Sequence, residues 1–441
     1  MGLGISEDVV LGHVPGTARY FDDPGRPWVI DAADTHGLKC ESSGPGLIIL
    51  NPQPSDDPND PLNWPLWRRD VIIFILSLVA IFATALGSIL VPNTLTLSAW
   101  LDVDITYIAV LTGYFLLAMG LAGFFCVPSG RLWGKRHLFI IGTCILVATT
   151  AWAGAAGPNY TSLLWARIIK GVDTVPFESL VNAAVGDLYF IHSLAFFDGR
   201  KTNEDFFKLL LRPLPLFIQP AFLWACLTQG VLIGWTTFIG VTIGVIFLGP
   251  LLFWDEVDTG HAYTGPIVNA LAAFIIPGAL ADWSAQYLTR LNRGIYEPEF
   301  HLLLVIPQLV FGCLGLYAFA VTAHGALDGE VHWVVPILFF GIEVCGMVTG
   351  TVGSSLYIVD AYRDLAVEGF TCLIIFKNLF TFALTFKAYD WLIVGGPERI
   401  FNILATVQLV VCLLSIPMYI FGKRNRSVFH RHNLLKLVGL K

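Results

Sequence analysis

Charged residues are scarce in this sequence. Of its 441 residues only 13% are Asp, Glu, Lys or Arg, whereas a typical soluble domain carries about 25%. The hydrophobic share is 55% and the mean hydropathy is +0.69. This composition excludes a disordered protein, a nucleic-acid-binding protein and an ordinary cytosolic enzyme.

Cysteine patterns and phosphate-binding motifs are also missing. The eight cysteines have neither disulfide nor metal-ligand spacing. Seven of them lie in or beside apolar runs, where a thiol acts as a small hydrophobic group. The sequence has no phosphate loop of the Walker type. We therefore expect no metal, no cofactor and no ATP-driven pump.

Long apolar runs are what the sequence has in abundance. Many are about 18 residues or longer, which is enough to cross a bilayer. They predict an all-α membrane protein, a polytopic bundle of about ten transmembrane helices. The predicted spans are 71–91, 105–127, 138–155, 161–185, 217–248, 263–281, 301–322, 333–357, 370–390 and 401–421.

Basic residues mark every second connection between the spans. Arg68 precedes the first span, Asp102 and Asp104 follow it without a base, and Arg131 follows the second span. The alternation continues as far as the basic stretch 422–441. Because basic loops stay in the cytoplasm, we expect both termini to be cytoplasmic. Dividing the long run 217–248 into two spans would break the alternation, so it counts as one.

Three short motifs lie at related places. Val127–Arg136 follows the second span and ends in Gly134, Lys135 and Arg136; Gly278-Ala279-Leu280-Ala281-Asp282 follows the sixth; and Arg167-Ile168-Ile169-Lys170-Gly171 lies in the fourth. They resemble the signatures of the major facilitator superfamily, a loop Gly-x-Leu-x-Asp-Arg-x-Gly-Arg-Arg and a fourth-helix Arg-x-x-x-Gly. Each loop copy is partial, and Arg131 stands where the family has its Asp. The resemblance implies cytoplasmic gating loops that contain Gly134, Lys135, Arg136, Gly278 and Asp282.

Four further motifs look like those of fungal major facilitators of the drug and polyamine efflux type, which resemble drug:H⁺ antiporters. They are Asp60–Pro65, Pro176–Glu178, Tyr296–Phe300 and Gly422–Arg426. This resemblance implies a small organic cation or amphiphile as substrate, protons as the coupling ion, and a monomer in the lipid bilayer. It implies the plasma membrane, with the vacuolar membrane as the alternative.

The family pattern also predicts a gap in this chain. Two halves of six helices would place the second signature loop after the eighth helix, but here it follows the sixth span. We therefore expect the fifth and sixth helices to be missing between His192 and Ser193. The predicted organisation is a polar tail, flexible or locally turned, at 1–66, an incomplete four-helix half at 67–192, a central loop at 193–216, a six-helix half at 217–421 and a basic tail at 422–441.

Ionisable residues inside the predicted spans are the functional candidates, because each costs about 2.5–3.5 kcal/mol to insert. Arg167, Glu178 and Asn182 share one face of span four with Gly171 and Thr174. Arg167 and Glu178 lie ~16 Å apart along the axis, so they cannot pair. We expect Arg167 to act in proton coupling or gating, as the resemblance implies, and Glu178 to bind a proton or a cation. The alternative is a structural role for both.

Other spans contribute further candidates. Glu343, near the middle of span eight, and Lys377 in span nine are candidate protonatable groups, with structural hydrogen bonding as the alternative. Gln229 and Trp235 in span five are candidate substrate contacts or packing residues. Lys170 and Asp173 are predicted to neutralise each other at i, i+3 spacing. Lys387 and Asp390 are predicted to extend to the membrane surface or to pair.

These observations favour a secondary active transporter that works by proton-coupled efflux and alternating access. A transport-incompetent truncated or splice form of such a protein is the main alternative. A membrane-embedded enzyme is a weaker one, because the histidines near the predicted cytoplasmic face are scattered and form no motif. We do not expect an enzyme.

Overall fold

The structure is a computed structural model. It describes residues 3–6, 14–19, 40–42, 47–49, 64–188, 205–248, 254, 256–362, 365–432, 435 and 438–440. For residues 18–19, 40–42, 47–49, 182–188, 245, 248, 256 and 274 it describes the backbone alone. The predicted position of the missing helices, between His192 and Ser193, lies outside the described residues.

Long α-helices dominate this part of the chain. They are α1 Leu66–Ser88, α2 Ile105–Trp133, α3 Arg136–Ala155, α4 Tyr160–Leu188, α5 Val231–Leu248, α6 Thr264–Leu291, α7 Leu314–Leu327, α8 Val334–Ala361, α9 Ala366–Thr385, α10 Ala388–Leu413 and α11 Ser415–Arg431. Each of the ten predicted spans lies on at least one of them, and the tenth crosses from α10 into α11.

Shorter elements extend or join these helices. Upstream of α5 lie the helix Pro220–Ala225 and a π-helical turn, Cys226–Gly230; upstream of α7 lie a 3₁₀ segment Pro298–Leu304, a turn Val305–Gln308 and a π-helical turn Leu309–Cys313. The remaining short helices are Thr94–Leu101, Phe206–Leu211, Pro213–Leu216 and Glu256–His261. Four short strands, β1 Ala18–Arg19, β2 Cys40–Ser42, β3 Leu47–Ile49 and β4 Ile295–Tyr296, form two antiparallel ribbons, β1–β4 and β2–β3.

Nine helical stretches within the described residues are long and apolar enough to cross a membrane. The long helix outside that set is α4, whose 29 residues would also span a bilayer. It carries Arg167, Lys170, Asp173 and Glu178, so its sequence is too charged for a purely apolar span. The fold is therefore an all-α, multi-pass membrane fold in which the most charged helix needs partners from its neighbours.

The long helices pack as two groups, α1–α4 and α5–α11, that meet along one seam. Within the first group α4 contacts α1, α2 and α3, and within the second α8 contacts α6 and α7. The seam is the contact of α2 and α4 with α9. Gly120 of α2 makes the close approach possible, because an added Cβ would stand 3.2 Å from the Cβ of Asn378 on α9.

The start of α1 and the end of α11 lie at the same end of the bundle, and we call this end the tail face. At this end the start of α9 meets the end of α2, and the segment before α7 meets α11. The ribbon β1–β4 also lies here, since β4 immediately precedes that segment. Part of the polar region 1–66 is thus ordered as turns and short strands against the bundle.

Candidate functional site

An ion pair across the seam forms the centre of the candidate site. Glu178 of α4 pairs with Lys377 of α9, and their side chains are 20% and 17% exposed. The neighbouring Asn378 donates from Nδ2 to Oε2 of Glu178 over 3.3 Å. The structure thus brings together two residues that the sequence marked separately as candidates. Opposite charges on α4 and α9 thus form a contact across the seam.

Aromatic residues pack between α9 and the α5 side of the bundle. The rings of Phe376 and Phe380 stack with centroids 5.8 Å apart. Trp235 of α5 contacts Phe380 edge-to-face at 5.4 Å. Trp235 is buried, at 4% exposure, so in this conformation it packs between helices. Gln229 is only partly buried, and its Oε1 lies 3.5 Å from the hydroxyl of Ser354.

Glu343 forms a second, separate acidic site on α8. It is fully buried, and its two carboxylate oxygens lie 2.8 and 3.0 Å from Oγ1 of Thr236 on α5. Gly315 makes room for it, because an added Cβ would stand 2.5 Å from the Glu343 nitrogen. Within the described part of the chain no basic group lies within ion-pair distance. A hydroxyl is thus its polar partner, and an ionised carboxylate here would lack a counter-charge.

Arg167 binds the end of another helix. Its Nη1 donates to the carbonyl of Leu86 over 2.9 Å and its Nη2 donates to the carbonyl of Gly87, both at the end of α1. Its guanidinium also lies 5.1 Å from the ring centroid of Phe115. The last carbonyls of a helix have no partner within it. Arg167 therefore caps α1, and it does so while almost fully buried.

The neighbouring charges of α4 do not pair as predicted. Within the described residues no ion pair joins Lys170 to Asp173, although both are buried. Asp173 instead accepts hydrogen bonds from Thr149 of α3 over 3.0 Å and from Thr174 over 3.3 Å. The i, i+3 spacing allowed a pair, but hydroxyl donors from α3 and α4 occupy the carboxylate. Asn182 lies on the α4 backbone, and its side chain is outside the described residues.

A charged cluster spans the seam at the tail face. Arg131 of α2 donates to Glu368 in the first turn of α9, through two nitrogens at 2.7 and 3.3 Å. Arg212, which follows Phe206–Leu211, lies 3.7 Å from the same carboxylate. The cavity beside these residues holds only about 10 Å³. One buried glutamate thus binds two arginines from different parts of the chain.

Only the first of the two predicted gating loops lies between helices in the structure. Gly134 ends α2 with a φ of +87°, Lys135 follows it, and Arg136 begins α3. The second copy differs from the expectation, because Gly278 and Asp282 lie inside α6, which continues to Leu291. Both are exposed there. The loop expected after residue 281 is instead almost three more turns of helix, since no Gly or Pro interrupts the stretch 279–291.

Two motifs that the sequence marked separately also meet at the tail face. Glu299 accepts from Nε and Nη2 of Arg426 over 3.0 and 2.7 Å, and both side chains are at most 1% exposed. Glu297 binds Arg426 Nη2 at 2.9 Å and Lys423 Nζ at 2.6 Å. This cluster joins the segment before α7 to α11, so the basic tail is partly built into the fold.

Sequence reasoning missed the partners that complete these sites. Asn378, Thr236 and Glu368 were not candidates. Glu368 had a detectable signal, because an acidic residue in the first turn of a predicted helix complements its dipole. Asn378 and Thr236 had none, because polar uncharged residues are common in apolar helices and only the packing selects these two.

Comparison with known proteins agrees with this architecture. No protein-family model matches the chain. The chain is 20% identical over 573 positions to Protein HOL1 of Saccharomyces cerevisiae, with 94% of this chain and 95% of the relative covered. It is 27% identical over 230 positions to the MFS-type transporter penM of Penicillium rubens, with 52% and 44% covered. It is 21% identical over 456 positions to the MFS transporter cpaT of Aspergillus oryzae, with 84% and 90% covered.

A solved structure has the same fold. The crystal structure of the human organic anion transporter MFSD10 superposes with a TM-score of 0.52 at 14% identity, over 80% of this chain and all of that one. Sequence similarity to several MFS transporters and this shared fold lead to one conclusion. The chain is a homologue of MFS-type transporters, an integral multi-pass membrane protein with the all-helical fold of the major facilitator superfamily.

Proposed function

We propose that this protein is a secondary transporter that carries a small organic molecule by alternating access, with the substrate bound beside the seam. The Glu178–Lys377 pair carries the proposal. Ionisable side chains in a bilayer are costly, and they mark substrate and ion pathways. Here two of them meet between the halves, and both keep some exposure. A substrate that binds either charge competes with the pair and so favours separation of the halves.

We further propose that proton movement drives the cycle through Glu343 and Glu178. Glu343 is buried without a counter-charge in the described residues, and this supports a role in which it takes up and releases a proton. In this proposal ionised Glu178 pairs with Lys377 or with a cationic substrate, and protonated Glu178 releases either partner. Arg167 acts on gating through α1, whose end it holds. Asn182, Gln229 and Trp235 are proposed substrate contacts from α4 and α5.

The proposed substrate is a small organic cation or amphiphile, and the proposed direction is efflux. The two acids favour a cation, and the aromatic side chains of α5 and α9 favour an apolar body. We assign the tail face to the cytoplasm, with both termini there, because basic residues concentrate at this end. The Arg131–Glu368–Arg212 cluster is then a closed cytoplasmic gate, flanked by Gly134, Lys135 and Arg136. The proposed location is the plasma membrane, with the vacuolar membrane as the alternative.

Flux into liposomes tests the mechanism. Liposomes containing the purified chain and an acidic lumen should accumulate spermidine, a small organic cation. Glu343→Gln and Glu178→Gln should abolish the accumulation driven by the pH gradient, because neither amide binds a proton. Glu398→Gln, at an exposed carboxylate, is the matched control and should match the unmodified chain. Unchanged flux in the two test variants would contradict the proton assignment.

A transport-incompetent form lacking the fifth and sixth helices is the second candidate. The alignment to Protein HOL1 covers 573 positions while this chain has 441 residues, so at least 132 positions face a gap in this chain. Two helices of about 20 residues each with their loops would fit within that difference. Absence of any spermidine flux in the unmodified chain would favour this candidate.

Transcript sequencing addresses the same candidate directly. Amplification across the codons for Gly186 to Arg200 should reveal whether messages with two additional spans exist. If every message carries them, the twelve-helix form of the drug and polyamine efflux type is the transporter. If the short message is abundant, the ten-helix protein exists and the flux assay decides whether it transports.

A further inference from the structure

The tail face holds a buried arginine whose hydrogen bonds are completed by a distant segment of the chain. Arg426 donates through Nε and Nη2 to Glu299 and Glu297. Its Nη1 donates instead to the backbone carbonyl of Pro15. Because Arg426 is almost fully buried, loss of that carbonyl would leave a charged donor without a partner. An unpaired buried donor on a charged group is costly.

The segment that supplies this carbonyl is residues 14–19, which we call the docking segment. Its strand β1 pairs antiparallel with β4, with Ala18 opposite Tyr296 and Arg19 opposite Ile295. Thr17 donates from Oγ1 to Glu297 over 2.7 Å. These contacts combine strand addition with side-chain recognition, as in extended-peptide binding.

The docking segment fits closely against the bundle because residue 16 is a glycine. Gly16 has a φ of +88°, which L side chains rarely adopt. An added Cβ would also stand 2.8 Å from the carbonyl oxygen of Asp360 and 2.9 Å from Nη1 of Arg426. Val14 is 2% exposed, so it is enclosed by the fold. The segment is therefore recognised at four successive positions, through an apolar side chain, a carbonyl, a glycine and a hydroxyl.

We propose that the tail face of the six-helix half is a docking site for an extended peptide, formed by β4, Glu297, Glu299 and Arg426, and that residues 14–19 are its resident ligand. The contacts that define the site come from the segment before α7 and from α8, both within the six-helix half, and from α11, which extends into the basic tail. The docking segment thus moves with these elements. The site accepts a peptide of the same chemistry from another molecule when the resident segment is displaced.

Two substitutions separate the resident segment from the site. Gly16→Val should expel the segment by strain and by collision with Asp360, while leaving β4 and Arg426 intact. Thr17→Val removes only the hydrogen bond to Glu297, and Thr17→Ser retains it. Hydrogen exchange of the full-length purified chain should speed up at least tenfold at Ala18 and Tyr296 in Gly16→Val. The increase should be smaller in Thr17→Val, and Thr17→Ser should remain within twofold of the unmodified chain.

Binding of a separate peptide completes the test. A labelled peptide with the sequence of residues 13–20 should bind the Gly16→Val chain at least tenfold more tightly than it binds the unmodified chain, whose site is occupied. A peptide with valine in place of glycine at the third docking position should bind at least tenfold more weakly. Unchanged exchange in Gly16→Val, or equal binding of the two peptides, would overturn the proposal. Neither readout depends on transport, so this result is independent of the proposed function.

Discussion

Replacing Glu178 by Gln and Lys377 by Met, singly and together, measures the charge pair across the seam. Each single change leaves one charge inside the bundle without its partner. Breaking a fully buried pair costs about 3–5 kcal/mol, while an exposed pair contributes only about 0.2–1 kcal/mol. The two side chains are 20% and 17% exposed. We therefore expect each single variant to lose about 2 kcal/mol of unfolding free energy, between these limits.

The double variant should lose less than the two single variants together. It removes both charges at once, so no uncompensated charge remains, and Asn378 can still donate to the amide oxygen of Gln. We expect a coupling free energy of about 1–2 kcal/mol, within the range for residues in contact. The assay is unfolding of the purified chain in mixed micelles with increasing dodecyl sulfate, followed by circular dichroism.

The chain contains a matched control for this cycle. Lys387 and Asp390 form a 3.1 Å pair whose side chains are 61% and 52% exposed. The cycle Lys387→Met with Asp390→Asn should give a coupling below about 0.5 kcal/mol. A coupling for Glu178 and Lys377 no larger than that of the exposed pair would refute the claim that the seam carries a stabilising charge contact.

Three further substitutions test other contacts. Arg167→Lys replaces a guanidinium that donates to two carbonyls by a single ammonium, so one carbonyl of α1 loses its partner. The unfolding free energy should fall by about 1.5–3 kcal/mol in the same micelle assay. The control Arg136→Lys, at an exposed side chain, should change the unfolding free energy by less than about 0.5 kcal/mol. Arg131→Glu places two acids together at the tail-face end of the seam, so labelling of a cysteine introduced at Val127 should become faster. Adding Glu368→Arg should restore slow labelling. Failure to restore it would contradict the proposal that this cluster is a gate. Glu299→Gln leaves buried Arg426 with one acidic partner and should lower the unfolding free energy by about 3 kcal/mol, whereas Glu330→Gln at an exposed carboxylate should have no measurable effect.

The helices were largely predictable from the sequence, because each bilayer span needs a long apolar run and the connections carry alternating charge. The exposed Lys387–Asp390 pair was predicted as well and is confirmed, since it depends only on helical spacing. The same spacing rule failed for Lys170 and Asp173. There a threonine of the neighbouring helix binds the carboxylate, and such a competitor is invisible until the helices are packed.

The candidate site was predicted as separate residues without their pairing. Glu178 and Lys377 are 199 positions apart, and no local rule relates them. Their meeting depends on how α2 and α4 pack against α9, and Gly120 permits the close approach of α2 to α9. The reverse case is Arg167, for which the family resemblance implied a role in proton coupling or gating. In the structure its hydrogen bonds reach two backbone carbonyls of α1, a partner that no side-chain pattern encodes.

That cap has a consequence for how the protein is made. The carbonyls of Leu86 and Gly87 are translated about 80 residues before the arginine that binds them. During synthesis α1 therefore enters the lipid while these two carbonyls lack the guanidinium of Arg167. They gain this partner only after α4 has emerged from the ribosome. Nascent chains stopped after α3 should expose the end of α1 to proteolysis, and chains extended beyond Arg167 should protect it. The most charged helix is thus a late assembly component that closes the first one.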